Sequence, residues 1–122
     1  MTISFAKGHG TGNDFVLLPD FDGKLDLTAE RVARICDRHF GIGADGVLRV
    51  VRTSRSAEVA QFAESAEWFM DYRNADGSIA EMCGNGVRCV AKYVYDHGIA
   101  QKPRLNIETG AGVLAIDLEV AN

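Results

Sequence analysis

Gly84-Asn85-Gly86-Val87-Arg88-Cys89-Val90-Ala91-Lys92-Tyr93-Val94-Tyr95-Asp96-His97-Gly98 decides the fold class. Val87, Val90, Ala91 and Val94 recur at three- and four-residue spacing, so they form one apolar stripe on a helix, and Gly98 stands where such a helix ends. A stripe of that kind must be covered. Much of the remaining apolar sequence reads as short strands, at residues 2–6, 14–18, 47–52, 67–73, 105–109 and 113–120. The last of these alternates strictly through Leu114, Ile116, Leu118 and Val120, and forms a hairpin with its predecessor across Gly110-Ala111-Gly112. A second helix is expected from a Thr28 cap to about His39, with Val32, Ile35, Cys36 and Phe40 on one face and Gly41 as its stop. Residues 53–66 are polar and show no periodicity. Two helices among often consecutive strands indicate one α+β domain with a largely antiparallel sheet.

Composition agrees with that size and class. The chain has 122 residues, 47% hydrophobic and 25% charged, which suits a single folded domain and excludes a disordered or fibrous one. Its net charge of −4 comes with no run of Lys or Arg, so neither nucleic acid nor an anionic membrane is an expected partner. No stretch approaches 18 apolar residues, and residues 1–7 lack the basic start and apolar core of a signal peptide, so the expected location is the cytoplasm. Ending at Asn122 directly after a strand, the chain is expected to continue in its natural polypeptide. Cys36, Cys83 and Cys89 are odd in number and form no Cys-x-x-Cys pair, which argues against a disulfide framework or a zinc knuckle. His9, His39 and His97 have no ligand spacing, so no metal is expected.

Glycine is the outlier, with 13 residues, ten of them bunched at 8/10/12, 41/43/46, 84/86 and 110/112. Gly41-Ile42-Gly43-Ala44-Asp45-Gly46 matches a dinucleotide fingerprint letter for letter. That fingerprint works only between a strand and a following helix, because the pyrophosphate meets the helix amino terminus. Here a helix precedes and a strand follows, so the segment reads as a glycine-rich connection and no dinucleotide is expected.

Met82-Cys83-Gly84-Asn85-Gly86 places a thiol immediately before a helix with a glycine-rich first turn. Unpaired N–H groups and the positive end of the helix dipole would stabilise a thiolate there. The same N–H groups can hold a carboxylate, and a thiolate beside a carboxylate suits proton removal from the adjoining carbon. The residues alone leave a second reading open, in which Cys83 is a small buried residue beside a turn. Cys36 belongs to an apolar stripe and reads as structural. Cys89 lies roughly 150° around the helix from the valine stripe, at about 100° per residue, and reads as packing against another element. It cannot oppose Cys83 across a single carbon, because both stand at the start of one helix.

Four segments together resemble the diaminopimelate epimerase family over nearly the whole chain: His9-Gly10-Thr11-Gly12-Asn13-Asp14-Phe15, Gly41 to Gly46, Tyr72-Arg73-Asn74-Ala75-Asp76-Gly77-Ser78, and Met82 to Arg88. The resemblance implies an enzyme of two similarly folded halves, each a sheet wrapped around a central helix, with one catalytic Cys from each half facing a shared cleft. It implies that residues 1–122 are the amino-terminal domain and that Cys83 is its acid/base. Asn13 and Asn74 would hydrogen-bond the substrate, and the Gly84 and Asn85 amides would receive its α-carboxylate. The small-molecule amino-acid substrate would be LL-diaminopimelate, converted without pyridoxal phosphate, metal or any other cofactor to the meso isomer for lysine and cell-wall synthesis. The second thiol, in a Cys-Gly-Ser/Thr-Gly segment, and a Glu-Arg pair are not in this chain, so half a site is expected. Its partner would be the complementary second half or, in a homodimer, another copy. Gly46 stands where many relatives carry a glutamine near the substrate. Alternatives are a proline-racemase-like isomerase of the same fold, which the Asn13 and Asn74 segments disfavour, and a non-catalytic carboxylate-binding domain. A thiol redox protein fits least, for want of a nearby resolving Cys.

Overall fold

A computed structural model describes residues 4–10, 13–79, 84–99, 104–109 and 112–117, with the side chains of Gly84 and Asn85 outside that description. Its elements in order are β1 (Ala6–Gly10), β2 (Asn13–Pro19), α1 (Ala29–Cys36), β3 (Gly46–Arg52), β4 (Trp68–Asn74), α2 (Gly84–Asp96), β5 (Arg104–Glu108) and β6 (Val113–Asp117). The six strands form one sheet in chain order.

Each connection fixes the sense of its pair. Short links join β1 to β2 and β5 to β6, and both pairs are antiparallel, as are β3 and β4. A helix lies between β2 and β3 and another between β4 and β5, and those pairs are parallel, since a parallel pair needs a crossover. The sheet is therefore mixed, antiparallel at three interfaces and parallel at two. Helix α2 touches β1, β2, β3, β4 and β5, so the sheet wraps around it, and the α+β expectation holds.

The period-two alternation divides the core between the two faces. Phe15 and Leu17 of β2, Leu48 and Val50 of β3, Trp68 and Met70 of β4, and Leu105 and Ile107 of β5 meet the stripe of α2. Val87, Val90, Ala91 and Val94 are all fully buried there, as their spacing required. The intervening residues Val16, Leu18 and Val47 face the other way, against Val32 and Cys36 of α1 and against Ala44. With both faces covered, β4 buries Phe69 and Asp71 as well as Trp68 and Met70.

Three sequence expectations need correction. The first strand runs over Ala6–Gly10, so Gly8, His9 and Gly10 are strand residues paired with Phe15, Asp14 and Asn13. Glycine propensity argued for a loop, and pairing to β2 overrides it. Helix α1 is capped by Thr28 as expected, its Oγ1 accepting from Arg31 N at 3.2 Å, but it ends at Cys36. Asp37 is extended and its carboxylate caps the N–H groups of His39 and Phe40 at 2.8 and 3.0 Å, which breaks the helical periodicity. Phe40 accordingly leaves the buried face and is 93% exposed. Residues 53–66 contain two 3₁₀ turns, Thr53–Arg55 and Ala60–Phe62, and between them Val59 packs on Val51 and Phe69.

Charge fastens the outer face. The register pair Arg49 and Asp71 joins β3 to β4 through Nε and Oδ2 at 3.1 Å, and Arg73 Nε reaches the other carboxylate oxygen at 2.9 Å. Arg49 also binds Asp20 at 2.9 Å and the Leu25 carbonyl at 3.2 Å, which holds the β2–α1 connection on the sheet.

Candidate functional site

Strands β2 and β3 start, and β1 and β4 finish, at one end of the sheet. The registers Gly10↔Asn13, Phe15↔Gly46 and Gly46↔Asn74 fix this. Asn13 and Asn74 are thereby brought to the same end on strands separated by β3, two strand spacings or about 10 Å apart across the sheet.

Asn13 is anchored by the segment that precedes β3. Its Nδ2 donates to Asp45 Oδ2 at 3.2 Å, and the same oxygen accepts from Asp14 N at 3.2 Å. Arg38 spans both carboxylates, with contacts of 3.1 and 2.8 Å to Asp14 and 3.1 Å to Asp45. Lys7 completes the group, 3.1 Å from Asp14 and donating to the Gly43 carbonyl at 2.6 Å. Sequence reading missed this cluster because its members are 24 to 36 residues apart in the main contacts.

The hydrogen bonds from Arg38, helped by Lys7 and the Asp45 amide against some desolvation, hold the Asp14 carboxyl well below the usual carboxylate range. A carboxyl with a depressed folded value adds stability above its unfolded value, about 3.9, and that stability is lost as pH falls through the folded value. Arg38→Gln should therefore lower the urea midpoint most near neutral pH, with the gap to wild type narrowing below about pH 4. A gap that stays constant down to pH 2 would contradict the ion-pair account.

Asn74 is held by the turn that ends β4. Gly77 N donates to the Asn74 carbonyl at 2.8 Å and Asn74 N to the Ser78 carbonyl at 2.9 Å. Gly77 has φ +90°, and a β-carbon there would lie 2.5 Å from Ala29 Cα, so only glycine lets the turn rest on the start of α1. The Asn74 side chain donates to Ser78 Oγ at 3.0 Å, and that hydroxyl donates to Asp76 Oδ1 at 2.6 Å.

At Gly46, between the two asparagine strands, a β-carbon would stand 2.6 Å from the Arg73 carbonyl oxygen and 2.7 Å from the Tyr72 ring. The Tyr72 ring, edge-on to Phe15 at 5.8 Å between centroids, thus fills the space a side chain at position 46 would enter. Helix α2 begins at Gly84, so the Gly84 and Asn85 amides belong to its first turn, where N–H groups have no partner within the helix. Cys83, the expected acid/base, lies outside the described residues.

The other thiols occupy packing positions. Cys36 is 4% exposed, and burial pushes its thiol pKa up, which disfavours the thiolate. Cys89 is half-buried and packs on the core between α2 and the sheet. A cavity of about 340 Å³ lies among Leu25, Leu27, Ile35, Phe40 and Ile42, and its lining includes none of the expected site residues. Among the described residues no cluster of His, Cys, Asp or Glu has the arrangement to hold a metal ion.

A family profile for diaminopimelate epimerase matches residues 5–122. The chain belongs to the diaminopimelate epimerase family. A diaminopimelate epimerase of Thermobifida fusca is 58% identical over 121 residues, covering 96% of this chain and 44% of that relative. One from Corynebacterium glutamicum is 54% identical over 119 residues, covering 97% of this chain and 42% of its own length. The chain thus spans about two fifths of the length of the curated epimerases it matches. Among solved structures, a Bacillus anthracis phenazine biosynthesis protein of the PhzF family superposes with a TM-score of 0.62 at 25% identity, over 98% of this chain and 36% of that one. Membership in the epimerase family agrees with the four motif segments, two of which supply Asn13 and Asn74 to one end of the sheet.

Proposed function

We propose that this chain is the amino-terminal domain of a cofactor-independent enzyme that interconverts LL- and meso-diaminopimelate. The family match across residues 5–122 carries this reading. In the proposed mechanism Cys83, as thiolate, removes the substrate α-proton, and a thiol of the second half delivers a proton to the opposite face. The Gly84 and Asn85 amides stabilise the carboxylate of the carbanion at the helix start, and Asn13 and Asn74 bind the substrate's polar groups. Closure of the cleft must exclude water, because a hydrated thiolate is a weak base for such a proton. The site is completed by the complementary second half, or by a second copy in a homodimer, and the enzyme works in the cytoplasm.

The direct test mixes LL-diaminopimelate with this chain, alone and followed by the second half of the Thermobifida fusca relative, and measures formation of the meso isomer. Conversion is expected with the second half present. No conversion by a folded, completed enzyme would refute the proposal.

The thiols should also differ in reactivity. Cys83 is expected to react with a small thiol reagent near neutral pH well before Cys36, whose thiolate is disfavoured by burial. Competitive labelling of the folded chain with peptide mapping reads the order, and labelling of Cys36 first would contradict the assignment.

A further inference from the structure

At the asparagine end of the sheet, each amide side chain is held by an acidic anchor, and the anchor decides which end of the amide turns away from it. An ionised carboxylate only accepts hydrogen bonds. Asp76 Oδ1 takes both the backbone N–H of Ser78, at 2.8 Å, and its hydroxyl, at 2.6 Å. Those hydrogen bonds hold the Asp76 carboxyl below its ordinary range, so it is ionised at neutral pH. Having given its single proton to Asp76, Ser78 Oγ offers only lone pairs, and it accepts Asn74 Nδ2 at 3.0 Å. A flipped Asn74 would set two oxygens against each other with no proton between them. Two strands away the same polarity recurs: Asp45 Oδ2 accepts Asn13 Nδ2 at 3.2 Å while Arg38 holds Oδ1 at 3.1 Å. In both amides the NH₂ group faces the anchor and the carbonyl oxygen is turned from it.

We propose that Ser78 and Asp76 are positioning residues that orient Asn74 to offer its carbonyl oxygen to an ammonium group of the substrate. This rests on the reading of Asn74 as a substrate contact. An amide oxygen accepts up to two hydrogen bonds, whereas an ammonium has three donors and no acceptor. The arrangement therefore selects ammonium over carboxylate at the Asn74 amide. A free amide would present either end and lose that selection.

The test measures KM and kcat for diaminopimelate in the completed enzyme, together with inhibition by pimelate, the same carbon chain without ammonium groups. Ser78→Ala should raise KM roughly three- to ten-fold with kcat little changed, as for weakening one hydrogen bond to a charged group in ground and transition states alike. Pimelate inhibition should be unchanged, and Ser78→Thr, which keeps the hydroxyl, should restore KM. In the 122-residue chain, NMR should find the Asn74 side-chain NH₂ signals dispersed in wild type and Ser78→Thr, and merged toward those of an exposed amide in Ser78→Ala. If Ser78→Ala does not fold, Asp76→Ala carries the same expectation, because it frees the Ser78 proton. An unchanged KM, or parallel loss of diaminopimelate and pimelate binding, overturns the inference. Asn74→Ala separates the levels: if it raises KM while Ser78→Ala does not, only the positioning role fails, and if it leaves KM unchanged, the substrate contact itself falls.

Discussion

Cys83→Ala in the completed enzyme is expected to lower epimerisation by roughly 10³-fold or more, because the methyl side chain can neither take nor return a proton on its face of the α-carbon. General acid/base groups commonly contribute 10² to 10⁴, and a stereochemical inversion needs one on each face, so losing one cannot be offset by the other. Binding should survive, since the proposed carboxylate contacts are the backbone amides of Gly84 and Asn85. The paired control is Cys36→Ala. It removes a sulfur that is 4% exposed between α1 and the sheet, so it should cost about 1 kcal/mol or more in stability and leave turnover per folded molecule intact. Near wild-type turnover in Cys83→Ala would remove it from the mechanism.

Asp71→Ala is expected to be the most destabilising of these single changes, at about 3 to 5 kcal/mol. Its carboxylate is 7% exposed and is shared by Arg49 and Arg73, which are 12% and 16% exposed. Truncation leaves two nearly buried guanidinium groups without that charge and frees both strand β3 and the end of β4. For a chain of this size the loss corresponds to a fall in Tm of ~10 to 20 °C. By contrast, Glu67→Gln disturbs an exposed pair with Arg52, and should cost under about 1 kcal/mol. Thermal melts of both variants decide this, and a loss below about 1 kcal/mol for Asp71→Ala would contradict the network's structural role.

Legibility followed locality. The stripe of α2 and the Thr28 cap depend on residues within one or two turns, and both could be read directly. Phe40 could not, because Asp37 ends the helix by capping the following amides, a choice that periodicity alone does not reveal. The first strand was displaced for a similar reason: its glycines suggest a loop, and only the distant partner β2 makes them a strand. At the candidate site, Asn13 and Asn74 were identified by resemblance, and the register brings them to one end of the sheet. Their anchors divide in the same way. The Asp76-Gly77-Ser78 turn carried a local signal in its Asp-Gly pair, whereas the Asp45 contact to Asn13 bridges 32 residues and left none.

The central claim is that this domain supplies one of two thiols that exchange the α-proton of diaminopimelate, and incorporation of solvent deuterium tests it most directly. In heavy water, the completed enzyme should place deuterium at the α-carbon of the epimerised product, while the Cys83→Ala form should place almost none there. Epimerisation without deuterium incorporation at that carbon, or equal incorporation by the Cys83→Ala form, would contradict the account.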